Sequence, residues 1–186
     1  MGKKKIKRRF YIFSFLLLIF LCKGPIYRYL INYTIIDSRK NNFLTNQKLI
    51  LEIEEFTNNE SLDIDEIIRI SNSFTAKKLA FTFSKAPKNA NKFVDHKKAN
   101  CIGYAALFNA VGNYLLAKNN LTDSYEFNHL VGQLHLFSIN IHLIINHPFF
   151  KDHDFNAIKN LKTQEIIYVD PSLYDYLGIK WVSSRQ

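Results

Sequence analysis

Asn100-Cys101-Ile102-Gly103-Tyr104-Ala105-Ala106-Leu107-Phe108-Asn109-Ala110-Val111-Gly112-Asn113-Tyr114-Leu115-Leu116-Ala117 decides the architecture. Tyr104, Leu107, Phe108, Val111, Tyr114 and Leu115 recur at three and four residues, the period of a helix with one buried stripe. Asn100 is suited to cap its start, and Lys118-Asn119-Asn120 ends it. Gly103, Ala105 and Ala106 keep the first turns small, so another backbone can pack close. Upstream, Asp63 and Glu66 form a capping box. Ile64, Ile67, Ile68, Ile70, Phe74 and Leu79 extend that second helix to about Phe83. Lys48 to Phe56 is a short apolar element, helix by preference, with a strand also open. Residues 84–98 are a polar loop.

Downstream the period changes to two. Phe137, Ile139, Ile141, Leu143 and Ile145 alternate with more polar positions, as a strand with one apolar face does. Phe155–Ile158 and Glu165–Val169 are shorter strands joined by a turn at Asn160–Gln164. Helices first and antiparallel strands after predict an α+β domain.

The chain has 186 residues, 47% hydrophobic and 22% charged, with a net charge of +9. That excludes a disordered chain and a multi-span membrane protein. Residues 1–28 hold eight Lys or Arg and no acid, while the remainder is nearly balanced. A nucleic-acid surface is therefore not expected. Lys3, Lys4, Lys5, Lys7, Arg8 and Arg9 precede the uncharged run Phe10–Cys22, as an export signal is written. The positive end stays in the cytoplasm, which puts the body outside it. Thirteen helical residues rise about 20 Å, short of a ~30 Å hydrocarbon core. The expectation is nevertheless an uncleaved single-pass anchor, because no small-residue cleavage site follows. Arg9 and Lys23 snorkel in this reading, and Pro25–Ile36 extends the buried part. Leu21 is too bulky for a lipoprotein site at Cys22. Residues 1–36 are thus the basic N-terminus and anchor, 37–60 a stalk and short helix, and 61–186 the functional domain.

Cys101 is the single cysteine beyond the apolar run. At the first turn of a helix, free N–H groups and the dipole favour a thiolate. Taken alone, it is also readable as a small buried core residue. A thiol nucleophile needs a base and a group to orient that base. A turn centred on Leu161-Lys162 sets His153 directly opposite Asp170. The carboxylate then fixes the tautomer of the ring and stabilises its charged form.

These residues resemble a transglutaminase-like cysteine domain of the broad papain-like group. That family writes Cys with an aromatic and Ala on a helix, His-x-aromatic opening a strand, and Asp-Pro-Thr ending the next. Here these read Cys101-Ile102-Gly103-Tyr104-Ala105, His153-Asp154-Phe155 and Asp170-Pro171-Ser172, within residues 61–177. Phe155 stands where the family commonly has Trp, and Ser172 where it has Thr. The resemblance implies a nucleophile helix packed on an antiparallel sheet. It assigns Cys101 as nucleophile, His153 as general base and acid, and Asp170 as orienting group. It implies peptide or side-chain amides of peptide or protein substrates, with hydrolysis or transfer both open and no cofactor. The Cys101 N–H is one oxyanion donor; Asn100 is a candidate for the second, but its capping role competes. A catalytically inactive binding or assembly module on the same fold is the alternative. His142, His147 and His153 with Asp152 and Asp154 lack the spacing of a metal site, so no metal is expected.

Overall fold

A computed structural model describes residues 2–57, 61–144 and 151–185. In chain order the helices are α1 (Gly2–Leu21), α2 (Lys23–Leu30), α3 (Gln47–Thr57), α4 (Ile64–Lys78), α5 (Cys101–Lys118), α6 (Ile141–Ile144) and α7 (Pro171–Leu177). The strands are β1 (Ile31–Arg39), β2 (Ala80–Phe81), β3 (Lys98–Ala99), β4 (Tyr125–Leu136), β5 (Ile139–Asn140), β6 (His153–Asn160), β7 (Ile166–Val169) and β8 (Ser183–Arg185). The main sheet runs β7-β6-β4-β1-β8, with β5 paired to the end of β4. A bridge between Tyr168 and Val182 brings β7 to the chain just ahead of β8, so the sheet nearly closes.

Each face of this sheet buries its own apolar cluster. On one side α5 lies against Phe127 and Ile158, with Ile67 and Phe74 of α4 behind it. On the other, Tyr33, Leu130, Phe155, Ala157 and Val182 pack together, with Tyr27 of α2 against them. The stripe on α5 is wider than its periodicity implies, because Ala110 and Asn109 are also fully buried. The Asn109 amide donates to the carbonyl of Phe127 and accepts from the backbone N–H of Asn42, so its burial leaves no orphaned polar group. Gly112 lets α5 pack directly on the Phe127 ring.

The α+β class stands, and so do α5, the Asp63 cap of α4, and β6 and β7 with their turn. Four expectations are corrected. The sheet is mixed, because β8 joins β1 in parallel. α4 stops at Lys78, where Leu79 turns extended and Ala80–Phe81 pairs with Lys98–Ala99. The strand assigned to 137–145 is instead β4, twelve residues earlier at its start. Phe137 sits at positive φ in the turn that follows β4, and Ile139, Leu143 and Ile144 are exposed. β4 eluded the alternation test because both clusters press on it, burying Phe127, His129, Leu130 and Val131 in near succession. Ile145 lies outside the described residues.

The fourth correction concerns residues 31–39, next to the N-terminal helices. Among the described residues no single helix is long and apolar enough to cross a membrane. α1 and α2 pass that test only as a pair, bent by 68°. Residues 31–39, expected to end an anchor and begin a stalk, form the strand β1 within the sheet. α2 is held to the body, where its Arg28 carbonyl accepts from Ser183 Oγ.

A Cβ at Gly112 would stand 2.3 Å from the Phe127 ring. Gly112→Val is therefore expected to cost about 2 kcal/mol or more, since an overpacked core shifts backbone. Urea unfolding of the two proteins measures it.

Candidate active site

Cys101 is the first residue of α5, and the chain ahead of it is pinned. Ala99 pairs with Phe81, and its carbonyl accepts from the Thr82 N–H at 2.8 Å. The Asn100 side chain accepts from the Gly103 N–H at 3.4 Å. Gly103 leaves room for Phe93 and the carbonyl of Pro87, where a Cβ would collide.

His153 opens β6 opposite Gly132 of β4. Asp170 directly follows the next strand, β7, and caps α7. Its Oδ1 accepts from Ser172 N at 3.0 Å, Ser172 Oγ at 2.6 Å and Leu173 N at 3.1 Å. Its Oδ2 stands 2.7 Å from His153 Nε2 and 2.8 Å from Tyr33 Oη. An ionised carboxylate only accepts, so the ring and the phenol both donate to it. With Nε2 engaged on Asp170, Nδ1 is the ring's remaining nitrogen, and Cys101 is near enough to act on the charge of the imidazole. The structure thus brings Cys101, His153 and Asp170 together. The side chain of His153 keeps 19% of its surface open to solvent, and Cys101 keeps 5% of its own.

The expected register is offset by two. The ladder pairs Asn156 with Val169 and Lys159 with Ile166, so the turn is centred one residue later than expected. An even offset preserves the face of every side chain. His153 and Asp170 become diagonal neighbours, still within reach of an imidazole and a carboxylate.

Burial opposes charge on His153, but Asp170 and then Cys101 outweigh it and hold the ring's pKa well above the ordinary 6.5. Burial likewise opposes the Asp170 charge. His153, Ser172 and the Leu173 N–H overcome that, lowering its pKa from 3.8 to about 2.

A second charged cluster went unread in the sequence. Asp154 is fully buried and points to the opposite face of β6 from His153. Its carboxylate takes Arg39 through Nε and Nη2, the latter at 3.0 Å, and His129 Nε2 at 2.7 Å. Hydrogen bonds from His129 and Arg39 outweigh burial and keep Asp154 below the ordinary carboxylate range. Arg39 is raised chiefly by its bond to Asp154, with the charges of Asp152 and Cys101 adding to it. A guanidinium thus stands within electrostatic reach of the sulfur. A bulge puts it there. Ile35 faces Gly132 and Asp37 faces Val131, so Ile36 is an extra residue and β1 changes phase. Tyr33 therefore serves Asp170 on one face and Arg39 serves Asp154 on the other. Local sequence carries no cue to such a bulge. The alternation of His153 and Asp154 along β6 was the one available signal for the second carboxylate.

The Asn156 amide, on the face of Asp154, donates to the Ala105 carbonyl at 3.1 Å and ties β6 to α5. Among the described residues no group of three His, Cys, Asp or Glu is arranged to hold a metal; His147 lies outside them. Family models, curated proteins and solved structures were compared with the chain, and none matches.

The pKa shifts set a pH dependence. Asp170 is lowered on folding, so its contribution is present above pH 3.8 and is lost as pH falls toward 2. His153 is raised, so its contribution is complete below pH 6.5 and is lost as pH rises through the folded value. Asp170→Asn is expected to lose on the order of 2 kcal/mol at pH 6 and to flatten both limbs. Urea midpoints from pH 2 to 10 measure this.

Proposed function

We propose that the chain is a membrane-tethered thiol acyl-transfer enzyme of the transglutaminase-like type, acting on peptide or side-chain amides. Cys101 passes its proton to His153, and the thiolate attacks the amide carbonyl. The tetrahedral adduct collapses as His153 returns the proton to the leaving amine, giving an acyl-enzyme and a free amine. His153 then deprotonates water or a second amine, which attacks the thioester and releases the thiol. Asp170 orients the ring and offsets its charge in both halves. The observation that carries this reading is one imidazole hydrogen-bonded to the buried Asp170 carboxylate, with Cys101 near enough to act on its charge.

The Cys101 N–H lies in the first helical turn, where it has no intrahelical acceptor, and supplies one oxyanion donor. The Asn100 side chain is occupied in capping, which favours the alternative of an inactive binding module. Arg39 answers that objection. A guanidinium has five N–H donors, and Asp154 engages Arg39 through Nε and Nη2 alone. Among the described residues the rest of its fork bonds nothing, which makes it a second candidate donor.

The tether rests on six cations ahead of Phe10–Cys22 and on the exposed apolar side chains of α1. Basic residues at the start of the chain keep that end in the cytoplasm and send the body across.

Alkylation by iodoacetamide tests the site. Cys101 in the wild type is expected to react readily at pH 6, and His153→Ala to slow that reaction by about tenfold, because the thiolate loses its counter-ion. Arg39→Gln is expected to slow it by a smaller factor. Slow wild-type labelling that both variants leave unchanged would mark Cys101 as a structural thiol.

A further inference from the structure

The β4–α6 hairpin carries apolar side chains that the fold leaves bare. Phe137 and Ile139 are more than half exposed, Ile144 more so, and Leu143 is 80% exposed. The hairpin sits beside the N-terminal helices, for the Phe137 N–H donates to the Leu30 carbonyl at 2.7 Å and Leu136 pairs with Ile31. α2 runs from there to the end of α7. The Lys23 ammonium, at the start of α2, lies near Gly178, and the Arg28 guanidinium, in the last turn of α2, lies 5.5 Å over the Trp181 ring. Tyr29 of α2 is exposed, and so are Trp181 and its chain neighbour Lys180. Apolar tips on the hairpin, with aromatics and cations along α2 and at Trp181, are the composition of a protein surface at a lipid interface.

The bend supplies the orientation. If α1 follows the bilayer normal, a 68° bend leaves α2 about 20° out of the membrane plane, the attitude of an interfacial helix. The hairpin at the far end of α2 then meets the same interface. His153 belongs to this end of the sheet, because it pairs with Gly132, four residues before Leu136. Four strand residues span about 13 Å.

We propose that α2 and the 136–144 hairpin form a docking surface for a phospholipid bilayer, and that Cys101 therefore acts on amides held at the membrane surface. The second clause rests on the enzymatic reading above, and the first on the membrane tether alone. α2 also touches the site directly, through Tyr27 Oη at 2.8 Å from Tyr33 Oη, which donates to Asp170.

The test uses the full chain in vesicles of phosphatidylethanolamine and phosphatidylglycerol. An environment-sensitive fluorophore is placed at Leu143→Cys or, at the opposite end of the sheet, at Lys162→Cys, with Cys22 and Cys101 replaced by Ser. The Leu143 position is expected to shift to the blue and to be quenched about twofold by doxyl-labelled lipid, while the Lys162 position does neither. Equal behaviour of the two sites would overturn the docking surface. So would a blue shift without lipid quenching, which is contact between protein copies. A second arm treats Cys22→Ser protein with iodoacetamide linked to a lipid headgroup by a short tether. Alkylation of Cys101 is expected. If free iodoacetamide reacts and the tethered reagent does not, the orientation fails and the enzymatic site survives. If neither reacts, the enzymatic reading fails, and the fluorophore pair alone judges the docking surface.

Discussion

A carboxylate with almost no access to water organises this protein. Asp170 accepts five hydrogen bonds, from His153, Tyr33, Ser172 (twice) and Leu173. An unpaired charge at such a depth would cost several kcal/mol, so each donor is a condition of folding as well as of chemistry. Those donors belong to β6, β1 and α7. The same group therefore ends one strand, starts one helix, fastens a third element and aims the imidazole. Pro171 helps, since a proline at the first helical position removes an N–H that would have no partner.

β1 shows how one strand serves two charged centres. Before its bulge it presents Tyr33 to Asp170; after it, Arg39 reaches Asp154. The two aspartates stand on opposite faces of the sheet, and adjacent residues of β6 meet one each through His153 and Asp154 itself. The pairs differ in access. His153 retains an open edge, while His129 and Asp154 are sealed in. That contrast leaves the first pair open to exchange with solvent and makes the second a buried anchor for the Arg39 guanidinium.

Much of the site was legible because its signals are local. The Asn100 cap places Cys101 at a helix start, and Asp170-Pro171 marks a strand-to-helix junction. The pairing of His153 with Asp170 tolerated an error in register because the error was even. Tyr33, Arg39 and His129 were not legible. They reach the site through long-range pairing, and a bulge that leaves no local mark sets the phase of β1. The misplaced strand has a similar cause: the exposed residues 137–144 alternate more cleanly than β4, which is buried on both faces. Hydropathy also misassigned residues 31–36, because an internal strand and a membrane segment are both rich in Ile and Tyr. Only pairing with β4 separates them.

The central claim is that His153 is shared between a sulfur and an acid. Its ring titration, followed by NMR in the wild type, Cys101→Ser and Asp170→Asn, addresses this most directly. The account predicts a wild-type midpoint well above that of a free histidine. It also predicts a large downward move on loss of Asp170 and a smaller one on loss of the thiol. A midpoint in the ordinary histidine range, indifferent to both replacements, would contradict it.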